Sequence, residues 1–402
     1  MLPLEGIRVI DLTVWFQGPV AGQHLADFGA EVIHVERPQG GDLGRGVRTI
    51  KAVPVGDWNQ YFLVINRNKK SLALDLNKPE GREVMARLVR ESDVFLTNVG
   101  EDNLAKWGLQ YDDLSAINPR LVYALCSGYG QLGGVKKPSF DMTVQALTGI
   151  MSRLGEPGQP PIYVGMGSGD AIGGLMAAFG IVLALQHRRK TGRGQLINAS
   201  LYGAQLLLAA PTLQAYLATG DETYARQQSR KSAANPLWNT YPTRDGWVFL
   251  CLENTDGGWS RLCASLEDAA LAADPRFDSA EKRARGSEEL IALLDERLST
   301  RTAAEWLDRW ERASIAAARV NNLAELAQDR QAWENGYFVE TYCEEVQRDV
   351  TVRGLPIGLS KTPGSVRTLG PELGQHTEEV LVETLGYSWE EIGALKEQGA
   401  IL

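Results

Sequence analysis

The sequence has few of the residues that hold metal ions or build covalent frameworks. Its 402 residues include only four cysteines and four histidines. The cysteines are scattered and form no CxxC pair, which argues against a disulfide framework and against a thiolate zinc site. No two histidines are spaced as a metal-binding pair, and no HExxH motif occurs. We therefore expect neither a structural metal nor a disulfide scaffold.

Acidic residues outnumber basic ones, since the chain has 50 Asp and Glu but only 41 Lys and Arg, which gives a net charge of -9. Without a basic excess the chain cannot neutralise many phosphates, so nucleic acid is excluded as a general partner. The chain opens without the basic segment of a signal peptide. Its longest apolar run, residues 171–185, is shorter than the roughly 20 residues of a membrane span. We expect a cytoplasmic protein that does not enter a membrane.

Short apolar runs that alternate with helical patterns predict an α/β fold with a parallel, doubly wound sheet. Residues 6–12 and 31–36 predict the first two strands, and residues 20–28 predict the helix between them, after a turn at Gly18 and Pro19. Further strands are predicted at residues 70–76, 92–96, 121–126 and 196–200, with helices at residues 79–90 and after residue 170.

The character of the chain changes near residue 220, where a polar segment precedes a new pattern. Residues 238–242 and 247–252 predict a hairpin, and helical patterns dominate residues 257–326. Strands are expected again within residues 337–352, and two short helices within residues 373–402. This division predicts a smaller α+β domain from residues 220–330, which separates residues 1–219 from residues 331–402.

Three familiar kinds of site are poorly supported by the sequence. Glu36 follows the second predicted strand, as a ribose-binding acid would, but the loop of residues 13–19 lacks GxGxxG. In that loop, Trp15 and Phe16 would keep a pyrophosphate from the backbone, and such aromatic residues most often pack in a core. No GxSxG element predicts a serine hydrolase. Cys126 follows a strand, but a buried, inert thiol is the usual case.

Asp170 is the most informative residue, because it ends a glycine-rich stretch, residues 165–170, just before a long apolar helix. At a helix N-terminus, unpaired amides and the macrodipole are expected to keep a carboxylate ionised. Such a carboxylate between glycines is either a covalent nucleophile or, more commonly, a helix cap. A second glycine-bearing loop, residues 128–134, follows another strand, so both loops are expected at the carboxyl edge of the sheet.

Taken over nearly its whole length, the chain resembles the family III CoA-transferases, the group of formyl-CoA and carnitine CoA-transferases. Several long segments match in the correct order, which is more specific than one short motif. They are residues 4–12, 29–38, 66–76, 118–123, 190–195 and 373–377. The resemblance implies a large Rossmann-like domain built from both ends of the chain, residues 1–219 and 331–402, with a small domain between them and an interlocked homodimer. It also implies an acyl-CoA and a carboxylic acid as substrates, with no tightly bound cofactor.

The family's nucleophilic aspartate lies in a Gly-Asp element followed by paired glycines, which corresponds here to Gly169, Asp170, Gly173 and Gly174. The resemblance therefore implies that Asp170 is the catalytic residue. The residues that would contact CoA are Trp15, Phe16 and Gln17 at the thiol arm, Arg37 and Lys106 at phosphates, Leu74 at the adenine, Asn98 and Val99 after a strand, and Gly128, Tyr129 and Gly130 near the reacting carboxyl.

The chain departs from the family pattern in two places. After Asn98 the usual Phe-Arg-Pro-Gly is replaced by residues 99–102, V-G-E-D, which removes a cation and adds two acids. In the related α-methylacyl-CoA racemases a His precedes the Asp that matches Asp141, whereas Phe140 stands there in this chain.

Three alternatives to transfer between two acids stay open at this point. An acyl-CoA racemase or isomerase on the same fold would need an acid and a base on either side of an α-carbon. An enzyme that transfers CoA within one molecule would keep Asp170 as the nucleophile and would have the same sequence features. A non-catalytic protein would bind CoA without exchanging acyl groups.

Overall fold

The computed structural model describes residues 1–50, 52–135 and 137–402. These residues form two compact units. The first comprises Met1–Ile150, Tyr163–Gln214 and Gln331–Leu402, and the second comprises Met151–Ile162 and Ala215–Arg330. Compared with the boundaries expected from sequence, residues 151–162 belong to the smaller unit, and that unit begins again at Ala215 rather than at residue 220.

The first unit is built on a sheet of six parallel strands. The strands are β1 Arg8–Leu12, β2 Glu31–Glu36, β3 Lys70–Ala73, β4 Val94–Thr97, β5 Val122–Ser127 and β6 Leu196–Ser200. Their order across the sheet is β3-β2-β1-β4-β5-β6, which is the order of a Rossmann fold. The predicted α/β fold with a parallel sheet is confirmed. In such a sheet, ligands bind outside the carboxyl ends of the strands, where β1 adjoins β4.

Helices cover both faces of this sheet. In the first unit and at its boundaries they are Gln17–Asp27, Gln60–Ile65, Pro79–Arg90, Glu101–Trp107, Tyr111–Ile117, Asp141–Leu147, Ser168–Thr191, Leu201–Leu206, Ala210–Thr219, Arg330–Glu334, Thr377–Glu379 and Trp389–Glu397, with a π-helix at Val380–Thr384. Two antiparallel pairs, Thr49–Ile50 with Val53–Pro54 and Phe338–Cys343 with Arg348–Arg353, complete the unit.

Alternate residues of each strand point to opposite faces, and each face has its own core. On one face, Ile10 and Ile33 pack with the Pro79–Arg90 helix and with residues near the end of the chain, including Ile401. On the other, Val9 and Val32 pack with the Gln17–Asp27 helix and with the Ser168–Thr191 helix. The strands are buried on both sides, as parallel strands require.

The last part of the first unit covers the edge strand β3. The Ser71 N–H donates to His376 Nδ1 at 3.1 Å, and the Ala73 N–H donates to Thr377 Oγ1 at 3.0 Å. Just beyond β3, the Asp75 N–H donates to the Ala400 carbonyl at 2.8 Å. These hydrogen bonds pair backbone groups that would lack partners at an uncovered sheet edge.

The first helix begins earlier than the sequence predicted. It starts at Gln17, so Gly18 and Pro19 lie in its first turn instead of forming a turn before it. Proline is tolerated there, because the first N–H groups of a helix have no partner within the helix. The loop after β1 is therefore only four residues long, from Thr13 to Phe16, and it leads directly into helix.

The Ser168–Thr191 helix is the longest in the described chain, and by length and composition it is apolar enough to cross a membrane. Its length exceeds the apolar run noted in the sequence, because the helix starts at Ser168 and continues through the basic residues 188–190. One side of it is buried against the sheet and the Gln17–Asp27 helix, as in a core helix.

The second unit contains the predicted hairpin, formed by Trp238–Thr243 and Gly246–Cys251. A third strand, Ala316–Arg319, pairs with Gly246–Cys251. The prediction of helix through residue 326 is wrong at this strand, whose Ala-rich sequence favours helix by itself. The helices are Asp256–Leu266, Ala269–Ala272, Ala280–Arg285, Ser287–Leu298, Ala303–Arg312 and Leu323–Ala327. A core of Tyr241, Trp306, Trp310 and aliphatic side chains holds the unit together.

Gly194 offers a test of the packing that places β6. A Cβ atom on Gly194 would collide with the backbone carbonyl of Leu121, immediately before β5. We expect Gly194→Ala to lower the free energy of unfolding by about 1–3 kcal/mol, the usual range for added volume in a packed site. The midpoint of chemical denaturation measures this. Gly358→Ala is the matched control, because a Cβ there meets nothing within 4 Å. Equal midpoints for the two variants would contradict the prediction.

Candidate active site

A cavity of 690 Å³ opens at the carboxyl edge of the sheet, at the point where β1 adjoins β4. The segments after β1, β4 and β5 line it, together with residues 137–141, Leu201 and Asp170. The fold therefore brings Asp170 to the place where ligands of such sheets bind. Of the residues predicted to contact CoA, those lining this cavity are Trp15, Phe16, Gln17, Asn98, Val99, Gly128, Tyr129 and Gly130.

Asp170 lies in the first turn of the Ser168–Thr191 helix, which is preceded by Gly167 in the left-handed conformation, with φ 80°. Burial and the nearby Asp141 carboxylate raise the pKa of Asp170 to about 7. Both effects oppose that of the helix terminus, which was expected to keep this carboxylate ionised. Low dielectric surroundings and a like charge both disfavour the carboxylate.

Asp141 organises the turn in front of Asp170. Its buried carboxylate accepts hydrogen bonds from the backbone N–H groups of Gly167 at 2.6 Å and Gly169 at 3.1 Å. The side-chain amide of Gln205 donates to it at 2.9 Å, and that of Gln145 donates at 3.2 Å. Charge-assisted bonds of this kind are stronger than neutral ones, so Asp141 fixes the path of the chain into the helix.

Close packing explains the glycines around Asp170. A side chain at Gly169 would collide with Gln205 and Asp141. A Cβ on Gly173 would lie 2.7 Å from Gln17 Nε2, and one on Gly174 would lie 2.6 Å from the Gln17 carbonyl oxygen. The paired glycines thus let the first helix lie directly against the helix that carries Asp170.

Residues Thr13–Gln17, here called the aromatic loop, form one side of the cavity. Trp15 is 41% exposed and has φ 68°, a left-handed conformation that is rare for a bulky residue. The Asn98 amide holds the loop, because its Oδ1 accepts from Val14 N at 2.9 Å and its Nδ2 donates to Val14 O at 2.7 Å. The side chain predicted to contact CoA is thus occupied in holding the aromatic loop.

The loop after β5 forms another side of the cavity. Gly128 leaves no room for a side chain, because a Cβ there would collide with Ser139. The Gly130 N–H donates to Ser127 Oγ at 3.1 Å. The Tyr129 hydroxyl donates to the Pro138 carbonyl at 3.2 Å, and Lys137 Nζ lies 5.6 Å from the centre of the Tyr129 ring.

Three predicted CoA-contacting residues do not line this cavity. The exposed Arg37 donates from Nε to the Gly41 carbonyl at 3.2 Å. Leu74 is buried, and its N–H donates to the Glu36 carbonyl at 2.7 Å. The exposed Lys106 donates from Nζ to Asn77 Oδ1 at 2.8 Å.

Sequence reasoning missed other residues of the site. Lys137 and Phe140 line the cavity, and Gln145 and Gln205 hold Asp141. Phe140 was considered only as the position of an absent histidine, and Lys137 is one of many isolated cations. Gln205 lies 64 residues from Asp141 in the chain, and no local pattern in the sequence connects them.

The alternatives considered from sequence find little support in the geometry. The buried Glu36 carboxylate binds Arg45 at 2.6 Å and Ser71 at 2.6 Å, so it is not presented to a ribose. Burial and nearby carboxylates raise the pKa of the Cys126 thiol to about 12, which is unsuitable for a thiolate nucleophile. Within the described ranges, no group of three His, Cys, Asp or Glu side chains is arranged to hold a metal ion.

Known proteins match this chain over nearly its whole length. The model of CoA-transferase family III matches residues 4–377. The chain is 32% identical to the succinyl-CoA–D-citramalate CoA-transferase of Chloroflexus aurantiacus, with 99% of this chain and 98% of that protein covered. It is 35% identical to the succinate–glutarate CoA-transferase of Agrobacterium fabrum, with 95% of each covered.

A solved structure is similar to this chain as well. A CaiB/BaiF family protein from Brucella suis superposes with a TM-score of 0.83 at 31% identity, over 95% of this chain and 99% of that one. The resemblance inferred from the sequence is thereby confirmed along the chain. Because a family model covers nearly all of the sequence and full-length relatives exceed 30% identity, the chain belongs to CoA-transferase family III.

Proposed function

We propose that the protein transfers CoA from an acyl-CoA donor to a free carboxylic acid, with Asp170 as the covalent nucleophile. One observation carries this proposal: in a family III chain, the Asp170 carboxylate lines the cavity at the carboxyl edge of the parallel sheet. Asp170 lies in the first turn of a long helix, and burial and Asp141 raise its pKa to about 7.

The reaction proceeds through two kinds of intermediate on Asp170. The carboxylate attacks the thioester carbonyl, the C–S bond breaks, and an acyl-aspartyl anhydride and CoA thiolate result. The thiolate then attacks the aspartyl carbonyl, which gives an aspartyl-CoA thioester and releases the donor acid. The acceptor carboxylate attacks this thioester and forms a new anhydride, and the thiolate takes the acceptor acyl group. Asp170 is regenerated as a carboxylate.

Backbone amides near Asp170 are suited to stabilise the oxyanion at each attack. Three glycine amides already have partners, because Gly167 and Gly169 donate to Asp141 and Gly130 donates to Ser127. We therefore assign the oxyanions to other amides of the same two loops. Asp141 serves the reaction indirectly, because it holds one of these two loops, the turn before Asp170.

We propose succinyl-CoA as the donor and a small dicarboxylic acid as the acceptor. The names of relatives across the full length support this choice, since they pair succinyl-CoA with D-citramalate in Chloroflexus aurantiacus and with glutarate in Homo sapiens. Lys137 is the cation among the described residues that line the cavity, where it can pair with the second carboxylate of such a substrate, although Glu101 and Asp102 also line the cavity.

Racemase or isomerase chemistry is less well supported than transfer. That chemistry requires an acid and a base on opposite sides of an α-carbon. Phe140 occupies the position of the racemase histidine, and the described residues that line the cavity include no histidine. A non-catalytic CoA-binding role would leave the raised pKa of Asp170 without a use.

We also propose that two copies associate through the Ser168–Thr191 helix. Five apolar side chains on this helix are 37 to 54% exposed: Leu175, Met176, Phe179, Val182 and Leu183. Their spacing places them on one face of the helix, away from the buried side. A contiguous apolar stripe of this size on a soluble protein marks a contact surface. A second copy satisfies it, in keeping with the interlocked dimer that the family resemblance implies.

Replacing Asp170 with Ala should abolish transfer, because the anhydride has no oxygen nucleophile on which to form. We expect a loss of at least about three orders of magnitude in rate, with the affinity for CoA largely retained. The direct measurement is mass spectrometry of the Asp170 peptide after incubation with succinyl-CoA and trapping with hydroxylamine, which yields a hydroxamate in the wild type alone. Asp112→Ala controls for loss of an acidic side chain at an exposed position. An active Asp170→Ala enzyme would refute the proposal.

The rate of adduct formation should depend on pH, because only the ionised Asp170 attacks. With a pKa of about 7, the rate should fall about tenfold for each pH unit below 7 and level off above it. Rapid quench and intact-protein mass spectrometry measure this rate. Asp141→Asn removes a charge that raises the pKa, so its midpoint should lie at lower pH than that of the wild type. A rate that stays constant from pH 5 to pH 7 would count against this assignment.

The double variant Phe179→Glu/Leu183→Glu should disrupt the proposed dimer, because it places two charges on the apolar face of the helix. Sedimentation velocity should give about twice the 44.0 kDa chain mass for the wild type and a lower mass, or no folded protein, for the variant. Trp389→Glu changes an exposed aromatic residue on another helix and should leave the mass unchanged. A monomeric wild type would exclude this interface.

A further inference from the structure

Lys69 is a buried cation that does not line the cavity of Asp170 but contacts the helix into which the aromatic loop leads. Its Nζ donates to Asp11 Oδ2 at 2.7 Å, to Asn66 Oδ1 at 2.8 Å and to the Pro19 carbonyl at 2.9 Å. An ammonium group has three N–H donors, and here each of them has an acceptor. The position of Lys69 is therefore fully determined.

Asp11 connects Lys69 to further charges. Its carboxylate accepts from Thr13 Oγ1 at 2.5 Å, and its Oδ2 lies 3.4 Å from His34 Nδ1. The other nitrogen of His34 lies 3.5 Å from Asp42 Oδ2. Burial opposes charge on these groups, but the carboxylates raise the pKa of His34 to about 10, and Lys69 and His34 lower the pKa of Asp11. The cluster is thus a buried ionic network with alternating charges.

Through Pro19, this network reaches the Gln17–Asp27 helix, which packs against the helix that carries Asp170. Pro19 lies in the first turn of the Gln17–Asp27 helix, two residues after Gln17. Gln17 donates from Nε2 to the Ala199 carbonyl at 3.0 Å and lies against Gly173 and Gly174. A displacement of this first turn would move Gln17 across the surface of the Ser168–Thr191 helix, close to Asp170.

The aromatic loop is held at both of its ends. Thr13 is bound to Asp11, and Val14 is bound to the Asn98 amide, while Pro19 is bound to Lys69. Between these points lies Trp15, whose positive φ is strained and persists only where its surroundings enforce it. Loss of one attachment would allow the loop to relax toward an unstrained conformation.

We propose that Lys69, acting through Asp11, Thr13 and Pro19, is a positioning residue that sets the place of the aromatic loop relative to the Asp170 carboxylate. Lys69 does not contact the substrate in this role. The inference rests on the proposed covalent function of Asp170. Displacements of about 1 Å near reacting groups cost on the order of a hundredfold in rate, which sets the size of the expected effect.

The chain offers a matched control for Lys69, which is Arg67. Arg67 is also a fully buried cation and binds Asp27 with Nη2 at 2.7 Å, but Asp27 is the last residue of the same helix, at the end away from the aromatic loop. Removal of either cation takes one cationic partner away from a buried carboxylate, Asp11 or Asp27, and lowers stability. Of the two changes, only the removal of Lys69 takes a hydrogen bond away from the first turn of the helix, at the Pro19 carbonyl.

The experiment compares wild type, Lys69→Met and Arg67→Met at a temperature where each is folded by circular dichroism. The measurements are the denaturation midpoint, the affinity for CoA, and the rate of adduct formation on Asp170 with succinyl-CoA per folded protein. Both variants should be less stable than the wild type. We expect the adduct rate of Arg67→Met to stay within about threefold of the wild type and that of Lys69→Met to fall about a hundredfold.

The outcomes separate this inference from the proposed function. Equal adduct rates in Lys69→Met and Arg67→Met would overturn the positioning role, while an adduct in the wild type would still support the nucleophile. A wild type without adduct would overturn both. If Lys69→Met does not fold, the adduct rate of Thr13→Val provides the test instead. This variant removes one hydrogen bond to Asp11 and no charge. An unchanged adduct rate in Thr13→Val would then overturn the inference, and a drop with unchanged CoA affinity would support it.

Discussion

The local structure of the site depends on the buried carboxylate of Asp141. By accepting the amides of Gly167 and Gly169, Asp141 holds the left-handed turn from which the Ser168–Thr191 helix begins. The same charge, together with burial, raises the pKa of Asp170. One group therefore fixes the position of Asp170, the proposed nucleophile, and also makes its ionisation costly. A carboxylate that is costly to ionise is a more reactive nucleophile once charged, because it gains more by forming a bond.

Much of the fold could be predicted from the sequence, because each strand of a parallel sheet is a short apolar run that needs no information from elsewhere. The strands Glu31–Glu36 and Leu196–Ser200 were predicted with their exact bounds. The errors came where neighbours override local preference. Gly18 and Pro19 look like a turn but begin a helix, and the Ala-rich strand Ala316–Arg319 forms because the hairpin beside it needs a partner.

For the candidate site, the sequence pointed to Asp170 and to the loops that line the same cavity, since glycines and strand ends leave local signals. It could not show how those loops are held. Asn98 was assigned to CoA, but its amide binds the backbone of Val14, 84 residues away. Gln205 and Lys69 act on the site by similarly distant contacts. Such contacts depend on the three-dimensional arrangement, whereas a helix terminus or a glycine turn depends on a few neighbouring residues.

The large unit is discontinuous, and this has a consequence for its synthesis. Residues near the end of the chain, among them Val380, Ile392 and Ile401, belong to one of its two cores, and His376 and Thr377 cover the edge of β3. On the ribosome, the first 214 residues therefore emerge with an incomplete core and an open edge strand. Until the final residues follow, that edge can pair with another nascent chain. The 116-residue segment Ala215–Arg330 of the smaller unit separates the two parts of the large unit. The time for which chaperones must protect the open edge therefore depends on how long this segment takes to be translated.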